Sequence, residues 1–302
     1  MGGIGSERDI SIQSGKSVAE ALRQAGYNVV TSDIRPDKLE ILDDHSIDIF
    51  FPALHGEFGE DGQLQQIMED KSLLYAGSGP FASRMAFDKI ESKKLFAEAG
   101  VKTAAVIDYT RQINNDELEM QLMNLADKYV IKPRRQGSSV GVSIVSTPEE
   151  AVKTAGETLE KYGDCMIEEF VPGREVTVGI LCGQTLPIIE IRPKDSFYSY
   201  HAKYKDEQTE FLFGTITEPS AVEKLSRSAM DCFNALGCRH FARVDFILSK
   251  NNVPCVLEVN TIPGFTSHSL LPKAAAKAGF SMSSLCRKIV EAAYSSLVEH
   301  QA

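Results

Sequence analysis

The sequence predicts an α/β block followed by two α+β blocks. Three observations carry that reading. Apolar runs alternate with amphipathic stretches through the first 77 residues, a βαβ pattern that implies a parallel sheet. Beyond that point strands follow one another as hairpins, with helices between the pairs. No repeat or low-complexity linker interrupts the order, and 302 residues suffice for two or three domains with real cores.

The first block, 1–77, carries a helix over Ser17–Ala25, strands near Tyr27–Ser32 and Ile47–Leu54, and a helix from Gln63. The second, 78–168, opens with a helix around Asp88–Ala99. It continues with strands near Ala104–Asp108, Tyr129–Lys132, Gly141–Val145 and Met166–Glu169. Its helix over Pro148–Tyr162 starts well: Thr147 can cap it, proline takes the first position, and Glu149 and Glu150 fill the first turn. The third block, 169–302, begins with an apolar hairpin from Glu175 to Ile191 turning at Gly183-Gln184. After the polar stretch 201–210 come a helix over Ala221–Leu236, a second hairpin, and helices from Ser269 and Ser283.

Composition excludes several functions. With 32 basic and 42 acidic residues, a net charge of −10, the chain has no basis for a nonspecific grip on nucleic acid or an anionic membrane. Its partners are expected to be small molecules. No apolar run approaches the ~20 residues of a spanning helix, and the amino terminus has no basic-then-apolar signal segment, so the expectation is a cytoplasmic protein. Cysteines 165, 182, 232, 238, 255 and 286 form no C-x-x-C pair, and several fall in apolar strand or helix patterns. They read as reduced core residues.

Ala242-Arg243-Val244-Asp245-Phe246 and Leu257-Glu258-Val259-Asn260-Thr261 place polar groups on one face of an otherwise apolar hairpin. If Asn251-Asn252 is a tight two-residue turn, Asp245 lies opposite Glu258 and Arg243 opposite Asn260. Facing carboxylates are destabilising on a half-buried sheet unless a cation sits between them, and oxygen-only ligands suit magnesium better than zinc. The alternative is a solvated face on which Arg243 neutralises both acids. The hairpin alone leaves both open.

A second motif, Lys132-Pro133-Arg134-Arg135-Gln136-Gly137-Ser138-Ser139-Val140-Gly141, joins two strands. Glycines let backbone approach an anion, amides and serine hydroxyls can point at phosphate oxygens, and Lys132 adds charge. It is not a Walker loop, because strand residues follow it where that motif needs a helix. A flexible hairpin tip is the plain alternative.

Together these features resemble the ATP-grasp enzymes and, within them, the D-alanine–D-alanine ligases. The likeness runs through nearly the whole chain: Gly2-Gly3 with Ser6-Glu7-Arg8; Leu54-His55-Gly56 with Gly59-Glu60-Asp61-Gly62; Gly77-Ser78-Gly79; Asp88-Lys89; the Lys132–Gly141 loop; and Ala202-Lys203-Tyr204. It ends on Arg243-Val244-Asp245 and the long stretch from Glu258 through Gly264-Phe265-Thr266-Ser267-His268-Ser269-Leu270. It implies an ATP-grasp fold behind an amino-terminal, Rossmann-like parallel-sheet domain. Family members usually begin with an apolar strand before the Gly-Gly turn, whereas this chain begins Met1-Gly2-Gly3. The expectation is a first domain lacking its first strand, through a start placed too far downstream.

The resemblance implies a reaction for peptidoglycan precursor synthesis. One D-alanine carboxylate attacks the γ-phosphate of ATP to give an acyl phosphate, and the amine of a second D-alanine displaces phosphate. Asp245, Glu258 and Asn260 would hold two magnesium ions, with manganese as an alternative, while Lys89 and Lys132 would contact the phosphates. Gly137, Ser138 and Ser139 would cradle them. Glu168, Glu169 and the backbone near Val171 would meet the adenine, and Glu175 the ribose. Arg243 and the Gly264 amide would stabilise the tetrahedral oxyanion. Glu7 would anchor the first ammonium in a set with Ser138 and Tyr204, with His55 nearby; Lys203, Ser269 and Leu270 would meet the second substrate. Read without the family, Glu7 is a surface acid near a helix start, His55 a satisfied structural histidine, and Glu168-Glu169 an exposed strand edge.

The segment His201–Phe213 would be a lid that excludes water from the acyl phosphate. Lys203-Tyr204 favours the dipeptide over a D-lactate product. The family also implies a homodimer. Gln136 replaces an acid common in relatives, with modest effects expected. Two other readings stand beside the first: a ligase whose second substrate is D-serine or D-lactate, and a nucleotide-binding protein inactive for want of the missing strand.

Overall fold

The computed structural model describes residues 1–5, 7–193 and 209–301, with residues 297–301 as backbone alone. Lys203, Tyr204 and most of the expected lid therefore lie outside the described residues. What is described is a mixed α/β chain with two antiparallel sheets, and none of its helices is long and apolar enough to cross a membrane.

In the first block the helix begins at Arg8, not Ser17, and α1 spans Arg8–Gln24. Ser11, Ser14 and Gly15 look loop-like by composition, yet they are buried where α1 packs. The two serine hydroxyls are satisfied: Ser11 Oγ donates to the Glu7 carbonyl at 3.1 Å, and Ser14 Oγ meets His55 Nε2 at 3.0 Å. Helix α2, Gln63–Asp70, starts where expected.

The two strands expected here, near 27–32 and 47–54, form no ladder. Pairing is confined to parallel bridges, Gly2 with Ile34 and Phe50 with Tyr75. The Phe50 amide donates to Leu74 O at 2.9 Å and Phe50 O accepts from Ala76 at 2.8 Å. Between the two extended segments lies a groove of about 310 Å³, floored by Val18 and Leu22. Tyr27, Val29, Ile49 and Phe51 flank it and stay only partly buried.

The second block adds helices α3 (Pro80–Phe87) and α4 (Lys89–Glu98). Asp88 caps α4, its side chain accepting from the Ile90 and Glu91 amides. A small sheet follows: β1 (Val106–Tyr109), β2 (Tyr129–Lys132), β3 (Ser143–Val145) and β4 (Cys165–Glu169), in the order β1-β4-β2-β3. Helices α5 (Asn115–Leu125) and α6 (Pro148–Tyr162) pack Leu118, Leu122, Ala151 and Ala155 against Tyr129, Ile131 and Ile167. Thr147 Oγ1 accepts from the Glu150 amide at 3.2 Å, the cap its sequence foretold.

The larger sheet holds β5 (Gly173–Leu181), β6 (Gln184–Thr185), β7 (Ile189–Arg192), β8 (Glu210–Phe213), β9 (Phe241–Ser249) and β10 (Pro254–Asn260). Its order is β10-β9-β5-β7-β8, with β6 beside β5. Along β5 and β9, Val176, Val178, Val244 and Phe246 pack with helix α7 (Pro219–Ala235), burying Leu225, Ala229 and Cys232. At the sheet end, Leu181, Ile189 and Phe241 join α1, α8 (Leu270–Lys277) and α9 (Met282–Gln301) in a separate core. Strand alternation then sends Glu175, Thr177, Arg243, Asp245 and Ile247 to the opposite face of β5 and β9, which lines the cleft described below.

Candidate active site

Asp245 pairs with Glu258 and Arg243 with Asn260 across β9 and β10, as expected. The route differs. The Ser249 amide donates to Val253 O at 3.1 Å, so the turn holds more than two residues, and a bulge at Leu257 restores the register. A bulge beside a site re-aims side chains, here the carboxylate of Glu258.

The solvated-face alternative fails. Asp245 is 5% exposed, and Arg243 grips it at two points, Nε to Oδ1 at 2.9 Å and Nη2 to Oδ2 at 2.8 Å. Thr177 Oγ1 donates to Asp245 Oδ1 at 2.6 Å. Glu258 instead faces Lys89, Oε2 to Nζ at 3.4 Å. Asn260 Oδ1 accepts from the Ile262 amide at 3.0 Å. Among the described residues no group of three or more His, Cys, Asp or Glu side chains is placed to hold a metal ion. A cation at the hairpin would rely on two carboxylates and one amide oxygen, a hard-oxygen set that fits magnesium. Arg243 and Lys89 now take the positive role on those carboxylates.

The Lys132–Gly141 loop is bent by left-handed residues in succession, Ser138 at φ 55° and Ser139 at φ 58°. Such non-glycine conformations cost on the order of 1–2 kcal/mol each and persist where surrounding contacts impose them. One contact is plain: Ser138 Oγ donates to Glu7 Oε1. Gly56 and Gly137 close on the same carboxylate, since a Cβ on either would stand 2.8 Å and 3.2 Å from Glu7 Oε2. Glu7 is 8% exposed, so it is a fixed buried carboxylate and not a surface acid.

His55 is both satisfied and central. Its Nδ1 lies 2.9 Å from Ile262 O and 3.5 Å from Glu60 Oε1, and its Nε2 meets Ser14. The ring thus ties α1 and the Gly56–Glu60 loop to the segment after β10. Burial works against the His55 imidazolium, but Glu60, Glu7 and the Ile262 carbonyl together outweigh it and raise its pKa; burial pushes the Glu60 carboxyl up. Beyond β10, Ser269 Oγ meets the Thr266 amide at 3.0 Å and Thr266 Oγ1 at 2.9 Å. A Cβ on Gly264 would stand 2.5 Å from that oxygen, so only glycine fits above Ser269.

Glu168 is 2% exposed, which overturns the exposed-edge alternative. It sits between two lysines, Lys132 Nζ at 2.7 Å from Oε2 and Lys93 Nζ at 2.6 Å from Oε1. Burial alone would push its carboxyl up; the two ammonium groups outweigh that and hold it below the usual carboxylate range. Glu169 is committed elsewhere, its Oε1 accepting from the Ala105 amide at 3.0 Å.

These residues converge on two adjoining cavities. The smaller, about 110 Å³, is lined by Glu7, His55, Arg243, Gly264, Ser269 and Leu270, with Gly137, Ser138 and Asn260. The larger, about 230 Å³, is lined by Lys132, Ser139, Glu168, Glu169, Val171 and Glu175, with Asp245. Lys89, Gln136 and Glu258 line both. Val130 and Ile144 of the small sheet face Ile247 and Leu257 of the large one across the larger cavity, a slot with apolar walls. Lys89 Nζ donates to Gln136 O at 2.7 Å at the junction. Sequence reading passed over Ser14, the apolar slot walls and Lys93. Only Lys93 left a signal, one helical turn beyond Lys89.

Comparison with known proteins identifies what the chain is similar to. Residues 95–291 match the family model described as D-ala D-ala ligase C-terminus. A D-alanine–D-alanine ligase of Methylacidiphilum infernorum is 41% identical over 298 residues, covering 97% of this chain and 93% of its own. The crystal structure of the D-alanine–D-alanine ligase from Bacillus anthracis superposes with a TM-score of 0.87 at 35% identity, covering 99% of this chain and 97% of that one. The Bacillus anthracis ligase complexed with ATP gives 0.84 at 33% identity, with the same coverage.

Proposed function

The chain belongs to the D-alanine–D-alanine ligase family, and on that premise we propose how its two cavities join two D-alanines with ATP as the second reactant. The observation that supports this most is the junction: a small polar cavity and an apolar-walled slot share Lys89, Gln136 and Glu258. A nucleotide in the slot places its terminal phosphate at that junction, next to an amino acid in the smaller cavity.

The larger cavity takes the purine between Val130, Ile144, Ile247 and Leu257, with Glu168, Glu169 and Val171 at its edge and Glu175 at the ribose. Lys89, Lys132 and the Gly137–Ser139 backbone meet the phosphates. Asp245, Glu258 and Asn260 would hold magnesium, whose charge would neutralise the phosphates. Glu7, fixed by Ser138, takes the ammonium of the first D-alanine, and His55 braces the loop beside it. The carboxylate of that D-alanine attacks the γ-phosphorus, ADP leaves, and an acyl phosphate forms. The second D-alanine, with its carboxylate near Ser269 and Leu270, attacks the acyl carbon through its amine. Its proton is lost, phosphate departs, and Arg243 with the Gly264 amide meets the oxyanion between. Lys203 and Tyr204 complete this set from the lid in the family pattern.

The chain works as three units, 1–77, 78–168 and 169–302, in a cytoplasmic homodimer, with no nucleic-acid or membrane partner at its charge of −10. The first unit is a Rossmann-like arrangement of parallel extended segments with an open strand position. Its support is the groove of about 310 Å³ between segments 27–34 and 47–54, whose parallel pairing stops at isolated bridges. A segment of about six apolar residues added ahead of Met1 should raise the Tm. An unchanged Tm counts against the open position.

The function itself is tested by phosphate release and dipeptide formation with D-alanine, ATP and magnesium, with D-serine and D-lactate as competing acceptors. D-alanyl-D-alanine as the main product supports the reading. ATP binding without D-alanine-dependent phosphate release would overturn it in favour of a nucleotide-binding protein.

A further inference from the structure

Helix α4 carries two buried lysines one turn apart. Lys89 is 8% exposed and Lys93 4%, and the i, i+4 spacing sets them on one face about 6 Å apart along the axis. Lys89 reaches the junction of the cavities, facing Glu258. Lys93 points to the other end of the slot and lines neither cavity. Its ammonium donates to Ala104 O at 2.9 Å and Thr103 Oγ1 at 3.2 Å, and lies 2.6 Å from Glu168 Oε1. That last approach is an ion pair off the line of a hydrogen bond, which leaves Oε1 a buried acceptor without a donor.

We propose that Lys93 is a positioning residue for base selection: by holding Glu168 ionised and turned toward the slot, it makes the site choose a purine with a 6-amino group over one with a 6-oxo group. The inference rests on the reading that the slot takes the base of ATP.

The physical case has two parts. A buried carboxylate that accepts but cannot donate attracts a 6-amino N–H and repels a 6-oxo oxygen; a protonated carboxyl serves either and loses the distinction. With Lys132 as its sole cation, Glu168 would be a neutral buried pair. The third member makes the triad net positive, so Lys132 keeps an unneutralised charge for the phosphates. Lys93 is itself well placed for this: two hydrogen bonds and the ion pair hold its ammonium, and Thr103 and Ala104 fix its height against the β1 side of the slot.

The test measures KM and kcat for ATP and for inosine triphosphate, which differ at the 6 position in this respect, with D-alanine saturating. Wild type should favour ATP by at least tenfold in kcat/KM. Lys93→Met should raise the KM for ATP at least tenfold, cut that preference at least fivefold, and leave the KM for D-alanine unchanged. Lys93→Gln, which keeps polar contacts to Thr103 and Ala104 without the charge, should cut the preference similarly; it serves where the methionine variant does not fold. In the Glu168→Gln background, adding Lys93→Met should no longer change the preference. If wild type favours ATP but both Lys93 variants keep its ratio, or if the effect persists without Glu168, the inference is wrong. If wild type neither binds nor uses ATP, the reading of the slot fails first.

Discussion

Arg243 holds Asp245 through a two-point contact on one face of β9, Nε to Oδ1 at 2.9 Å and Nη2 to Oδ2 at 2.8 Å. The same guanidinium lines the smaller cavity. A cation arriving at Asp245 would take over that charge and release Arg243 toward developing negative charge. Arg243→Met should therefore lower kcat by about 10²–10³, the usual cost of one oxyanion donor. Dipeptide kinetics check this; a variant retaining more than about a tenth of the rate would remove Arg243 from the chemistry.

Asp245 itself makes the complementary prediction. Asp245→Asn keeps an oxygen for Thr177 to donate to but loses the charge that draws a divalent ion. The magnesium concentration for half-maximal activity should rise about tenfold or more, while chelation by EDTA should stop phosphate release in the wild type. Equal magnesium dependence in both proteins would place the metal elsewhere.

Glu7 has no room to move, because Gly56 and Gly137 close on its carboxylate. Gly137→Ala brings a Cβ within 3.2 Å of Glu7 Oε2, tight enough to shift it by a few tenths of an ångström. The KM for the first D-alanine should rise about tenfold with the KM for ATP little changed, since misplaced binding groups weaken productive geometry. An unaltered D-alanine KM would mean that Glu7 does not hold that substrate.

How far these features were legible in the sequence depends on whether local pattern or tertiary contact decides them. Strand alternation alone gives the facing of Asp245 and Glu258, and it survived a wrong turn because the longer loop and the Leu257 bulge compensate one another. The start of α1 was hidden because Ser11, Ser14 and Gly15 lack apolar periodicity, and only their burial against His55 and Met1 explains them. Lys93 left only its spacing from Lys89, for a like reason: a lysine on a helix reads as solvated until its ion pair with Glu168, distant in sequence, is seen. The first-block strands had the right composition, but without ladder partners they remain extended chain.

The cysteines should be inert. Burial pushes the thiols of Cys165, Cys238 and Cys286 up to about 12 and raises Cys232, Cys255 and Cys182 as well. All are free, and Cys182 alone is not fully buried. Iodoacetamide on the native protein at pH 7 should label Cys182 at most and leave activity intact. Rapid labelling at several positions would contradict this packing.

His240 predicts the acid limb of stability. The Gly77 amide donates to its Nδ1 at 3.0 Å, so that nitrogen is an acceptor and the ring is neutral, with Nε2 facing Ser296 Oγ at 3.3 Å. Burial, aided by nearby Arg239, lowers its pKa from 6.5 to about 4. Between those values the unfolded chain binds a proton that the folded chain resists. The contribution is therefore complete above pH 6.5 and lost as pH falls toward 4, by about 2 kcal/mol after allowance for partial exposure. His240→Asn offers the same acceptor, tolerates the positive φ of 62°, and does not titrate. Urea unfolding of both proteins at several pH values should show the wild type losing about 2 kcal/mol relative to the variant on going from neutral to acid. A difference that stays flat with pH would mean that His240 is protonated in the folded chain, and that Gly77 is held by some other contact.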